Sequence, residues 1–212
     1  MRLLSPDDTD HNFLASAAGQ LAAAYRWRGT TTTSISEETV RFAESQPGLP
    51  IACSLATVGL ALAGDLPAAH STLTPVVSRA EPFLDDTTLA GQLATLIEAC
   101  VLTGHRIPRQ AEELLRGFSG QLLVLAWGVD VHGAADRFLG VLAALAGDTA
   151  LATDSFTRAE ELERRVSTAL PLRTQVWRHA FLGDVSPPKV PANLSGLNVE
   201  AAALKLVAAG RM

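Results

Sequence analysis

Aromatic residues are scarce in this chain: one tyrosine, three tryptophans and seven phenylalanines among 212 residues. A β-sandwich core, which draws on Tyr, Val, Ile and Thr, is therefore disfavoured. Alanine and leucine dominate an apolar share of 48%, a composition suited to closely packed helices. Cysteine is nearly absent. Cys53 and Cys100 both lie in apolar helical stretches and read as reduced core residues, not as a disulfide framework. Positive charge is also short: Lys and Arg total 17 against 22 Asp and Glu, for a net charge of -5. No basic run occurs, which argues against direct nucleic-acid binding. The longest apolar run, IACSLATVGLALAG from Ile51, gives way to Asp65 and is too short to cross a membrane. The opening MRLLSPDDTDHNF lacks the apolar centre of a signal peptide, so a cytoplasmic location is expected.

What the chain does have is a repeat. ALAGDLPAAHSTL from Ala61 and ALAGDTALATDSF from Ala144 share an apolar helix, a Gly-Asp joint and an alanine-rich second helix. Gly64 and Gly147 suit a left-handed helix end, and Asp65 and Asp148 suit the cap of the next helix. Weaker copies place Gly29, Gly104 and Gly183 at the same joint, with Pro108 near the start of a second helix. Successive joint glycines are 35, 40, 43 and 36 residues apart, a spacing found in helix-pair repeats. In residues 149–166, Ala152, Phe156, Ala159 and Leu162 share one face. Residues 51–63 are apolar almost all round, so this helix should be sandwiched between neighbours. Residues 119–140 break the rhythm and read as a helix or a brief extended piece. The expected fold is all-α, with about nine or ten antiparallel helices in a tetratricopeptide-like right-handed superhelix. Its expected parts are a repeat domain over 1–183, a Pro-rich linker over 184–196 and a final helix over 197–212.

Catalytic signatures are missing. There is no Gly-Lys-Ser/Thr phosphate loop, no His-Glu-x-x-His, and the five histidines are scattered, so neither cofactor nor metal is expected. Asp85 and Asp86 lack the further carboxylates that a magnesium site would want and read as helix caps. RGFSG resembles a nucleophile elbow only superficially, because residues 109–117 look helical where a strand is needed before Ser119.

The richest cluster is WGVDVHGAADR, which brings together Trp127, Asp130, His132, Asp136 and Arg137. Such a set suits a small polar-aromatic molecule. The plainer reading makes Trp127 core, Asp130 a cap for the next helix, and Asp136 or Arg137 half of an ion pair. Trp27 between Arg26 and Arg28, and Trp177 beside Arg178 and His179, are similar clusters that line a groove or cover core edges. His70 joins Trp27, Trp127, Asp130, His132 and Arg137 as a ligand-binding candidate.

GVDVHGAADRFLGVLAALAGDTALATDSFTRAEELERR resembles the tetratricopeptide-like helical arm of MalT-like, LuxR-type ATP-binding regulators of actinobacteria. The matching positions are Gly128, Gly133, Asp136, Arg137, Phe138, Leu139, Gly140, Leu142, Gly147, Ala152, Phe156 and Ala159. The closing residues resemble the first helix of a LuxR-type DNA-binding domain through Leu194, Ser195, Val199, Glu200, Leu204, Leu206, Val207, Ala208, Gly210 and Arg211. Asn198, Ala202 and Ala203 depart from that pattern, and no recognition helix follows.

The resemblance implies an interaction and ligand-sensing arm without its ATPase or its DNA reader. The expected function is thus a regulatory, non-enzymatic module that holds a peptide, protein or small-molecule effector in a groove. The alternative is a small enzyme or ligand-carrier with a pocket near Trp127 and His132. Leu197, Ala201, Leu204 and Ala208 form an apolar stripe on the final helix. That helix should fold back over the last hairpin or pair with a second copy in a homodimer.

Overall fold

Leucine- and alanine-rich segments punctuated by glycine fold as the spacing predicts. In the computed structural model, residues 27, 32–45, 49–78, 88–125 and 130–209 are described. Among them are nine α-helices and one pair of short strands. In order these are α1 (Thr32–Ser45), α2 (Pro50–Leu62), α3 (Leu66–Ser78), α4 (Leu89–Thr103) and α5 (Arg109–Arg116). Then come β1 (Leu122–Leu125), β2 (Asp130–Ala134), α6 (Ala135–Leu145), α7 (Thr149–Arg164), α8 (Leu170–Leu182) and α9 (Gly196–Ala209).

The class is thus mostly helical, and the strands qualify the all-α expectation. Residues 119–140 supply them. β1 and β2 pair antiparallel, with Leu123 opposite Gly133, Leu125 opposite Asp130 and a bulge between Leu123 and Val124. The four-residue run LLVL is too short for a helix, and as a strand it buries alternate leucines, Leu123 and Leu125.

The helix joints at Gly64, Gly104 and Gly147 follow the repeat, whereas Gly183 ends α8 with no helix directly after it, and Asp184 pairs with Arg178. Gly64, Gly104, Gly147 and Gly183 all take positive φ, from 65° to 88°. Asp65 Oδ1 accepts from the Ala68 amide at 3.1 Å, and Asp148 Oδ1 from the Leu151 amide at 3.0 Å. Asp148→Ala should therefore cost about 1 kcal/mol, read as a lower midpoint in urea unfolding with an unchanged slope. Pro108 is the cap residue of α5. Gly29, Asp85, Asp86 and Trp127 lie outside the described residues.

α2 packs against α1, α3 and α4, as its all-round apolarity requires. One large cluster runs from Val58 on α2 through α4, α6 and α8 to Leu197 and Leu204 on α9. The final helix folds back onto α8, α4 and α2, the first of its two expected fates. It buries Leu197, Leu204 and a carboxylate, Glu200. Within residues 184–196, Val190 and Leu194 also pack against the core.

Candidate functional site

The hairpin carries polar residues into the interior. β2 is buried at Asp130, His132, Gly133 and Ala134, and α6 follows with no break, placing Arg137 one turn along. A buried charge must be paired and hydrogen-bonded, and two arginines organise the pairing here.

Arg173 on α8 is fully buried. Its Nη2 lies 2.7 Å from Glu98 Oε1 on α4 and 2.7 Å from Glu200 Oε1 on α9. Its Nη1 donates to the His132 carbonyl at 3.1 Å, and Trp177 Nε1 donates to Glu200 Oε1 at 2.7 Å. Burial opposes the charge, but Glu200 and Glu98 outweigh it and hold this guanidinium above the ordinary arginine range.

Arg137 makes the second centre. Its Nη2 donates to Glu163 Oε1 at 2.7 Å and its Nε to Thr174 Oγ1 at 2.9 Å. Glu163 also accepts from the Thr174 hydroxyl at 2.6 Å and from the Ala134 amide at 2.8 Å. Arg137 Nη1 is buried with no hydrogen-bond partner among the described residues. Burial pushes this guanidinium below the ordinary arginine range, with Glu163 opposing and Arg173 adding to the shift.

Gly133 makes this arrangement possible. At φ +110° it occupies a conformation that side-chain-bearing residues rarely adopt. A Cβ there would lie 1.5 Å from Arg137 Nη2 and 2.6 Å from Glu163 Oε1. His132 is 1% exposed, with Nε2 3.4 Å from Thr95 Oγ1 and 3.7 Å from Asp130 Oδ2, and Nδ1 3.9 Å from Glu98 Oε2.

Among the described residues, two recesses on the surface stand out. The smaller, about 370 Å³, is lined by Trp27, Leu122, Asp130, Val131, Val166 and Leu170, among others. The larger is an open groove of about 820 Å³ beside the α4–α5 connection and the α6–α7 hairpin. Leu139, Leu142 and Ala143 of α6 line it, with Leu145 and Leu151, which stay 41% and 46% exposed. Arg106 and Arg116 stand on one side and Arg158 on the other, with Glu112 and Asp148 among them. Arg158 is already bonded to Asp136 and Asp154. His105 also lines the groove and stacks on His70 of α3, with ring centroids 3.9 Å apart.

The sequence candidates therefore separate. His132 and Arg137 both lie in the interior but belong to different pairings, His132 beside Glu98 and Asp130 and Arg137 with Glu163. Asp130 and Trp27 share the small recess. His70 sits beside the groove, and Trp127 lies outside the described residues. Asp130 does not cap the next helix, since Ala134 holds that position without a side-chain bond. Asp136 binds the Gly120 amide at 2.6 Å, the Ser119 hydroxyl at 3.1 Å and Arg158 Nε at 3.0 Å. Ser119 is thus a donor in a turn.

Glu98, Glu163, Arg173 and Glu200 were missed by sequence reasoning. One of them had a signal: Glu98 is the sole charge in the fifteen residues of α4, and a lone charge in an apolar helix calls for a buried counter-ion. No family model, curated protein or solved structure matches the chain.

Proposed function

We propose that this chain is a non-enzymatic binding module that holds a peptide, a partner protein or a small effector in the groove beside α6 and α7. The observation that carries this reading is the groove's make-up: a leucine-rich floor left open to solvent and bordered by arginines. An apolar floor supplies affinity, and arginine donors at the edge supply orientation. The enzyme alternative needs His132, Asp130 or Arg137 to touch substrate; the complete burial of His132 and Arg137 weighs against those two, and Asp130 alone lines a recess. The helix pairs, joined at left-handed glycines, are in keeping with a tetratricopeptide-like right-handed arrangement, and the regulatory role rests on the resemblance to LuxR-type regulator arms. A ligand-carrier reading draws instead on the recess at Trp27 and Asp130.

The test uses peptides selected on the folded chain from a random display library. Their affinity for the wild type is compared with that for the double variant Leu145→Glu/Leu151→Glu. Both leucines are well exposed, so the fold should survive. Losing two apolar contacts should weaken binding by about tenfold or more. Equal affinity for the two proteins would overturn the groove as the binding surface. Loss on Asp130→Asn, with no loss on the double variant, would favour the recess.

A further inference from the structure

We propose that His70 and His105 form a proton-operated latch on the wall of this groove, a regulation that rests on the binding role just proposed for it. The two rings stack at 3.9 Å with an interplanar angle of 28°. They join different elements: His70 sits mid-way along α3, and His105 follows the left-handed end of α4 at Gly104. Two threonines hold His105 in place. Thr103 Oγ1 lies 2.8 Å from its Nδ1, and Thr74 Oγ1 lies 3.2 Å from its Nε2.

Each threonine hydroxyl has a single proton and a backbone carbonyl within reach. Thr103 Oγ1 is 2.7 Å from the Ala99 carbonyl, and Thr74 Oγ1 is 2.8 Å from the His70 carbonyl. When both hydroxyls donate to those carbonyls, both oxygens can only accept from the ring. The arrangement is then complete with a proton on each nitrogen of His105, and a charged ring can still stack on a neutral His70. A second charge is disfavoured, because two imidazolium rings in contact repel. The stacked pair thus holds one proton, and the next one opens it. Burial and the neighbouring His70 oppose the first charge and hold His105 below the ordinary histidine range, so that charge forms only on acidification.

Among the described residues, few other charges face the latch. α2 has no ionisable residue apart from Cys53, and His70 is the only one on α3, with Asp65 just before it. Glu98 and Cys100 of α4 are buried. Arg106, Glu112 and Arg116 share the groove wall with His105, and Asp148 and Arg158 face it from the α6–α7 side. Opening the stack frees the connection that carries Arg106 and the buried Ile107, both of which line the groove. Acidification should therefore reshape the groove from one wall.

The test follows imidazole resonances by NMR from neutral pH to about pH 5, with assignments from His→Gln variants. The probe for the groove is Nile red, a neutral apolar dye. In the wild type, the His105 resonances should move in two steps, because a charge on the stacked neighbour is felt across the contact. The amides of residues 104–107 should shift with the second step, and dye affinity should fall severalfold over the same range. In His70→Gln, His105 should titrate in one step nearer the ordinary value, and dye affinity should stay level. Identical His105 curves in the two proteins would overturn the latch. Linked titration with unchanged dye affinity would overturn its coupling to the groove. Dye binding that survives Leu145→Glu/Leu151→Glu would count against the groove itself, while the resonances still report on the latch.

Discussion

Replacing Arg173 with alanine should lower stability by about 3–5 kcal/mol, because it strands two carboxylates in the interior. Glu98 is 0% and Glu200 1% exposed, and both face the guanidinium at 2.7 Å. Neither can turn to water without breaking the packing of α4 or α9. The loss is a large share of the ~5–15 kcal/mol that keeps a typical domain folded. At ~2–4 °C per kcal/mol for a chain of this size, the melting midpoint followed by circular dichroism should drop on the order of 10 °C. Charge, more than volume, should set the cost. Arg173→Met combined with Glu98→Gln and Glu200→Gln keeps an acceptor for Trp177 Nε1 and removes every stranded charge, so it should recover much of the loss. A drop of under about 1 kcal/mol in Arg173→Ala would mean that water reaches the site.

Gly133→Ala should be nearly as damaging, through the backbone. Strain at φ +110° alone costs about 1–3 kcal/mol. The new methyl would also fall on the Arg137 guanidinium, with Nη2 at 1.5 Å and Cζ at 2.6 Å. That guanidinium has nowhere to go, since Glu163 and Thr174 hold it in a fully buried site. Displacing it breaks a buried ion pair, so the total should reach about 4 kcal/mol or more. Gly64→Ala is the matched control. It has positive φ too, but a Cβ there meets nothing within 4 Å. It should cost only about 1 kcal/mol. Equal effects at the two glycines in denaturant melts would mean that the contact with Arg137 adds nothing.

Helix pairs and their joints were legible because glycine at a helix end and aspartate after it act locally. The same locality made Asp65 and Asp148 readable as caps. The hairpin was half legible: a short apolar run fits a strand or a helix turn until its partner is known, and β1 is fixed by β2 and by close approach to α4, where Leu125 Cα would stand 2.8 Å from a Cβ on Gly91. WGVDVHGAADR was readable as a cluster but not in its sense. Whether His132 and Arg137 face solvent or interior depends on Glu98, Glu163 and Arg173, which come from other helices. The His70–His105 stack was illegible for the same reason, its partners lying 35 positions apart. The stripe on the final helix pointed to packing, but it gave no hint that Glu200 would be buried with Leu197 and Leu204.

The pairing of Glu98, Arg173 and Glu200 also bears on the order in which the chain is made. Glu98 emerges from the ribosome 75 residues before Arg173, and Glu200 follows 27 residues later. In an array of stacked repeats each pair settles on the one before it, and folding proceeds as a wave. Here the Glu98 carboxylate of α4 gains its Arg173 partner only when α8 exists, and Trp177 Nε1 meets its Glu200 acceptor only when α9 arrives. The early helices must wait, loosely collapsed, for a cation synthesised much later. Folding on the ribosome should thus be a single late event, and the finished molecule should unfold as one unit instead of fraying repeat by repeat.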